Sequence, residues 1–177
     1  MELTTLPNGE GWQVGDTTFV FDYGRGSSAE RFCIRKPPDL MDLYLDLTRR
    51  FHQATIVELG IAAGGSTALL SLLAEPRLLI ACELDPEPVA ALSQLIEAHE
   101  LSAVVRPFYG VDQADAARLI EIVDHEVPDG ALDLVIDDAS HLYHETRASF
   151  DVLFPRLRPG GWFIIEDWAA DYAYARR

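Results

Sequence analysis

Two short apolar runs near the carboxyl end of the chain, Leu134 to Ile136 and Trp162 to Ile165, each stop abruptly in a pair of acids: Asp137 with Asp138, and Glu166 with Asp167. A segment with helical spacing lies between them. Strand, crossover helix and second strand make a right-handed βαβ unit, which runs the strands parallel and brings their carboxyl ends to one edge of the sheet. Four carboxylates are therefore expected on one rim. Like charges gathered so closely cost free energy unless a cation or a polar ligand sits among them, and such a rim is where ligands bind in open α/β sheets.

A second group of chemically useful residues surrounds the first strand-to-helix turn. The segment VELGIAAGGSTALL, Val57 to Leu70, sets Glu58 ahead of Gly60, Gly64 and Gly65. Glycine lets the backbone approach a ligand closely, and a helix beginning near Ser66 offers N–H groups to an anionic group such as a carboxylate. Glu58 adds an acceptor for an ammonium. Carboxylate plus ammonium describes an amino-acid moiety; the competing explanation is a turn that needs glycine only for tight packing. A dinucleotide fingerprint asks for G-x-G-x-x-G, and Ala62 stands at its second glycine. At the next strand end, Glu83 or Asp85 sits where a ribose-binding acid belongs in nucleotide folds. Glu83 is favoured because it ends the apolar run, while Asp85 also suits a helix cap ahead of Pro86. After the third strand, Gly110, Asp112 and Gln113 reach the same rim, where acceptors and amides suit an adenine edge. Asp112 serves equally well as a helix N-cap.

The elements that must position these groups alternate with little slack. Strands are expected at 55–59, 77–83, 103–109, 132–137 and 162–166, with helices at 66–75, 86–100, 113–125 and 141–157 between them. Pro86 is placed in the first turn of its helix, and Pro107 requires its strand to lie at an edge or to end there. This pattern predicts an α/β fold, a doubly wound Rossmann-like parallel sheet ordered 3-2-1-4-5. A helix over about 39–52 precedes it. Residues 1–30, with glycines around two alternating pieces near Trp12 to Val14 and Thr17 to Tyr23, read as a hairpin or lid ahead of a domain spanning 31–177.

Composition narrows the partners. The chain has 177 residues, enough for one α/β domain with a substantial core. Its 29 acids against 14 bases give a formal net charge of -15, which repels nucleic-acid backbones and anionic membranes and favours a small neutral or cationic ligand. Cys33 and Cys82 are the two cysteines, and Cys82 falls within an apolar run, so two buried thiols in a reducing compartment are expected rather than a disulfide. With no signal peptide and no spanning apolar run, the cytoplasm is the default location.

Together these residues resemble the class I S-adenosylmethionine-dependent methyltransferases, and more specifically the metal-dependent O-methyltransferases, including the macrolide sugar O-methyltransferases and cephalosporin hydroxylase-like proteins. The likeness runs from about Arg31 to Trp168 and is carried by VELGIAAGGS, ELDPE, IDDASH and PGGWFIIED. It implies that Glu58, Gly60, Gly64, Gly65 and Ser66 serve the methionyl part of S-adenosyl-L-methionine and Glu83 its ribose. It also places Gly110, Asp112 and Gln113 near adenine, and Asp138, Glu166 and Asp167 on Mg²⁺ or a similar divalent cation. His141, three residues after Asp138, takes the position of the general base. The implied activity is methylation of a hydroxyl on a small molecule, a sugar or natural product among the candidates.

The family's sheet ordinarily continues past its fifth strand, whereas this chain stops at Arg177. A truncated chain, or self-association through the uncovered sheet edge, is the resulting expectation. Two rival readings remain: a noncatalytic nucleotide- or S-adenosylmethionine-binding module, and an NAD-linked oxidoreductase. Ala62 and the second acidic pair disfavour the latter.

Overall fold

A computed structural model describes residues 1–7, 9–23 and 26–168. Among them the chain forms two compact units, one comprising Met1–Ala54, Ile61–Arg77 and Pro88–Val105, the other Thr55–Gly60, Leu78–Glu87 and the chain from Arg106 onward.

The second unit carries the sheet that the apolar runs call for. Its strands are β5 (Thr55–Leu59), β6 (Leu78–Glu83), β7 (Val105–Tyr109), β8 (Leu132–Asp137) and β9 (Leu157–Ile165), adjacent in the order β7-β6-β5-β8-β9. Counted by chain order within this sheet, that is 3-2-1-4-5. β5 pairs in parallel with both β6 and β8, and β8 with β9. Every residue of β5 is buried, the state that a run of β-branched and aliphatic residues in a central parallel strand requires. Helices α4 (Ala116–Glu126) and α5 (Tyr143–Leu153) belong to the same unit. Leu119, Ile122 and Val123 of α4 and Leu153 of α5 share one apolar core with Val57, Leu59, Ile80, Cys82 and Val135. Asp115 caps α4, its side chain accepting from the Arg118 N–H at 3.0 Å.

Several boundaries differ from the sequence expectation, two of them for a reason that involves proline. The final strand begins at Leu157 rather than Trp162 and takes in Pro159, Gly160 and Gly161. Its register against β8 jumps from Leu132↔Leu157 to Leu134↔Trp162, and a bulge on a strand at the edge of the sheet formed by the described residues tolerates a proline that a central strand would not. Pro107, in β7 at the opposite edge, obeys the same rule.

The first unit holds a four-stranded sheet, β1 (Leu3–Thr5), β2 (Gly11–Val14), β3 (Thr17–Phe21) and β4 (Arg31–Ile34). The expected hairpin is β2 against β3, antiparallel from Gly11↔Val20 to Val14↔Thr17. β1 and the parallel β4 extend it beyond residue 30. Phe19 and Phe32 stack with ring centroids 5.9 Å apart and are fully buried. Helices α1 (Pro38–Arg50), α2 (Gly65–Leu73) and α3 (Ala90–Ala98) complete this unit. α1 begins with Pro38, Asp39 in its first turn and Arg49 and Arg50 in its last, each suited to the helix dipole.

The other boundary is at helix α3, which starts at Ala90, so Pro86 is outside it rather than in its first turn. Pro88 explains the shift, because a proline drives the residue before it away from helical geometry. Asp85 closes a local turn instead of capping the helix, its Oδ1 accepting from the Glu87 N–H at 2.9 Å.

Cys33 and Cys82 are both buried free thiols. No helix among the described residues is long and apolar enough to cross a membrane. The expectation about strands beyond the fifth falls on residues 169–177, outside the described residues.

Candidate functional site

Asp138 follows β8 directly, and its N–H donates to the Leu59 carbonyl at 2.9 Å, which fixes the strand exit beside the end of β5. His141 lies three residues further on, with Nε2 4.0 Å from Asp138 Oδ1. Asp167, two residues past β9, completes the group: one potential ligand atom from each of Asp138, His141 and Asp167 lies within 4.8 Å of the others. Parallel pairing of β8 with β9 is what brings acids 29 positions apart together. His141 and Asp167 both hold left-handed backbone, with φ of 59° and 49°. That conformation is costly for non-glycine residues, and such strain collects at functional sites where the surroundings enforce it.

Glu166 is not part of this group. The expectation puts it on the cation with its two neighbours, but the close cluster contains His141 in its place. The Glu166 N–H donates to the Asp137 carbonyl at 2.9 Å, continuing the β8–β9 ladder by one step.

Asp137 is the clearest departure from four acids on one rim. It is 2% exposed. Gln113 Nε2 donates to its Oδ1 and Oδ2 at 3.0 and 2.9 Å, and the Ser149 hydroxyl donates to Oδ2 at 3.1 Å. Burial pushes its carboxyl above the ordinary range, and hydrogen bonds from Ser149, Gln113, the Ala139 N–H and Thr146 pull it partly back. Asp137 is the last residue of β8, within the covered sheet, whereas Asp138 lies one step past the strand end.

Gln113 is corrected by the same observation. Expected near adenine, it is 6% exposed, with its amide nitrogen on Asp137 and its Oε1 accepting from the Ser140 N–H at 2.8 Å. Asp112 is exposed; its Oδ1 accepts from the Ala114 N–H at 2.8 Å, and the cap of α4 is Asp115 instead. Gly110 follows β7 at φ 69°, its N–H donating to the Asp85 carbonyl at 3.2 Å. Glu83 closes β6 half-buried, Oε1 accepting from the Asp85 N–H at 3.1 Å, while its carbonyl accepts from the Val111 N–H at 2.8 Å.

At the end of β5, Glu58 is wholly buried between Ala81 and Ile136 of the flanking strands. Gly60 has φ 97°, and a Cβ there would strike the carbonyl of Asp138. Its glycine is thus explained by the close passage of the β8 exit. In the other unit, Gly65 opens α2 under the same constraint, a Cβ overlapping the Cys33 carbonyl, and Gly64 is the left-handed N-cap. Ser66 sits buried in the first turn of α2. For Gly60 and Gly65 the tight-packing explanation accounts for the residue type on its own.

The donor set at the β8 and β9 ends, two carboxylates and an imidazole, fits a divalent cation. The acidic acceptors Glu83 and Asp112 at neighbouring strand ends fit a ligand with hydroxyls and positive charge.

A family model described as "Methyltransferase domain" matches residues 57–168. The chain is 40% identical over 83 residues to mycinamicin VI 2''-O-methyltransferase of Micromonospora griseorubida, covering 46% of this chain and 20% of that protein. It is 47% identical over 60 residues to demethylmacrocin O-methyltransferase of Streptomyces fradiae, covering 33% and 14%. Among solved structures it resembles the MycE methyltransferase from the mycinamycin biosynthetic pathway in complex with Mg, SAH and mycinamycin VI. The TM-score is 0.56 at 27% identity over 75% of this chain and 35% of that one. Each of these matches spans well under two thirds of the relative's own length.

Proposed function

Because this chain belongs to the methyltransferase domain family, we propose that it takes part in transferring a methyl group from S-adenosyl-L-methionine to a hydroxyl of a small molecule, with a sugar on a natural product as the substrate class. The observation that carries this reading is the grouping of Asp138, His141 and Asp167 at the ends of adjacent parallel strands. S-adenosyl-L-methionine would supply an electrophilic methyl, and a divalent cation held at the acidic strand ends would lower the pKa of a hydroxyl placed there. Asp138, Asp167 and the adjacent Glu166 are assigned to the cation. His141 accepts the proton of the hydroxyl. Glu58 and Gly60 are assigned to the methionyl part of the cofactor, Glu83 to the ribose and Asp112 to adenine. Gln113 leaves that set, its amide being committed elsewhere.

A second reading has a specific observation behind it: His141 lies in the close group and Glu166 does not, as expected if His141 were itself a ligand. Methyl transfer by His141→Ala and Asp138→Ala, assayed with S-adenosyl-L-methionine, Mg²⁺ and a panel of glycosylated macrolides, tests the proposal. Asp138→Ala is expected to abolish Mg²⁺-dependent turnover, and His141→Ala to lower the rate by about 10²- to 10⁴-fold. Equal turnover of wild type and His141→Ala removes His141 from the chemistry. Calorimetric binding of NAD but not S-adenosylhomocysteine would overturn the cofactor assignment.

A further inference from the structure

The segment from Asp138 to Leu142 carries two of the three clustered groups, yet it is neither strand nor helix. A loop of this kind holds left-handed backbone at His141 only if its neighbours over-determine it. One restraint comes from a side chain outside the loop. Gln113 lies 24 positions from Asp137, in the segment that follows β7, but its amide is wedged between β8 and the loop. Nε2 reaches both oxygens of the Asp137 carboxylate, 3.0 and 2.9 Å away, and Oε1 accepts from the Ser140 N–H at 2.8 Å. An amide has one donor end and one acceptor end, and the Ser140 N–H can only donate, so Oε1 faces Ser140 and Nε2 faces Asp137. The Ser140 hydroxyl then accepts from the Leu142 N–H at 3.2 Å, which carries the restraint past His141.

We infer that Gln113 is a positioning residue: its buried amide bridges the Asp137 carboxylate to the Ser140 N–H and so sets the place of Asp138 and His141 relative to Asp167. The inference rests on the metal-assisted reading for its functional consequence, though not for the bridge itself. Ser149 takes part differently. Its hydroxyl bonds with Asp137, the Thr146 carbonyl and the Gln113 amide, all outside the loop from Asp138 to Leu142. Losing it weakens the anchor but leaves the Gln113 link to Ser140 in place.

The experiment combines amide hydrogen exchange with Mn²⁺ titration followed by water-proton relaxation, on wild type, Gln113→Met and Ser149→Ala. In wild type, the Ser140 amide is expected to be protected despite lying in a loop; rapid exchange there overturns the bridge, whatever the protein binds. In Gln113→Met that protection is lost and Mn²⁺ affinity falls by about 10-fold or more, the scale on which outer partners of metal ligands act. Ser149→Ala keeps Mn²⁺ affinity within about 2-fold while losing thermal stability. A Gln113→Met protein that melts earlier but binds Mn²⁺ as wild type does would show a merely structural glutamine and overturn the proposal. If Gln113→Met fails to fold, Gln113→Asn, which keeps both ends of the amide on a side chain one methylene shorter, takes its place: lost protection at Ser140 together with weakened Mn²⁺ uptake supports the bridge, and protection and Mn²⁺ affinity both unchanged overturn it. If wild type itself takes up no Mn²⁺, the cation assignment fails separately, and the Ser140 exchange data alone decide for or against the bridge.

Discussion

Asp137 accepts from Gln113 and Ser149 inside the protein and is 2% exposed, whereas Asp138, one residue later, keeps about a quarter of its side chain accessible and stands beside His141 and Asp167. The two carboxylates are neighbours in the chain and carry the same charge. What separates them is the end of the strand: Asp137 closes β8 within the covered sheet, and Asp138 lies one residue past it, at the rim. The inward one is satisfied by donors and organises its surroundings; the outward one is left among groups of its own sign, where a cation would be stabilising. Elsewhere in this unit Glu58, Cys82 and Gln113 are buried, while Glu83 is half-buried and Asp112 exposed.

Several substitutions can break this contrast, and the largest effects belong to the outward set. Loss of turnover in Asp138→Ala, set against a stability close to wild type, would show a residue kept for chemistry rather than folding. Asp137→Leu should behave in the opposite sense. It strands the Gln113 amide without its carboxylate acceptor, and a buried donor left that way costs about 1–3 kcal/mol, while Ser149 keeps the Thr146 carbonyl. Urea denaturation should register that loss; an unchanged midpoint would mean that the inward network contributes nothing to the fold.

Among the outward groups, Glu83→Ala should weaken S-adenosylhomocysteine binding by about 1–3 kcal/mol, the scale for a hydroxyl pair that loses a charged acceptor. Calorimetry giving an unchanged affinity would remove Glu83 from the ribose. The smallest effect is at Cys82, where burial, above all, lifts the thiol from 9.0 to about 12, the Glu58 charge adding to the rise and Arg118 opposing it. A raised folded value means that the contribution of this thiol to stability is complete below pH 9 and is lost as the pH climbs toward 12, because the unfolded chain gives up its proton first. At a pH of about 8, below the ordinary thiol range, the native protein should therefore show no labelling by an aromatic disulfide reagent, and both thiols should react after unfolding. Labelling of a thiol in the native protein would place Cys33 or Cys82 outside the core.

Much of this arrangement is legible in the sequence, for identifiable reasons. The abrupt passage from Ile136 to two acids and from Ile165 to two more marks strand ends, and right-handed crossover between parallel strands then brings Asp138 and Asp167 together. That Asp137 stays inside is less readable, because both faces of a doubly wound sheet are covered and only its place as the last strand residue tells it from Asp138. The partner of that carboxylate is not readable, since the Gln113 amide meets Asp137 only through the stacking of α4 and α5 against the sheet. Nor does spacing reveal that His141, rather than Glu166, stands within 4.8 Å of both Asp138 and Asp167, because that depends on left-handed backbone at His141 and Asp167. Gly60 and Gly65 suggest a ligand cradle in the sequence, while in the structure each makes room for a carbonyl.

The division of labour within the outward group is the part of the account most exposed to test. Mn²⁺ titration of wild type, Asp138→Ala and His141→Ala, followed by water-proton relaxation, addresses it directly. If carboxylates hold the cation and the imidazole takes the proton, Asp138→Ala loses affinity by about 10-fold or more while His141→Ala stays within about 2-fold of wild type. Equal losses in the two variants would make His141 a ligand and contradict its assignment as the base.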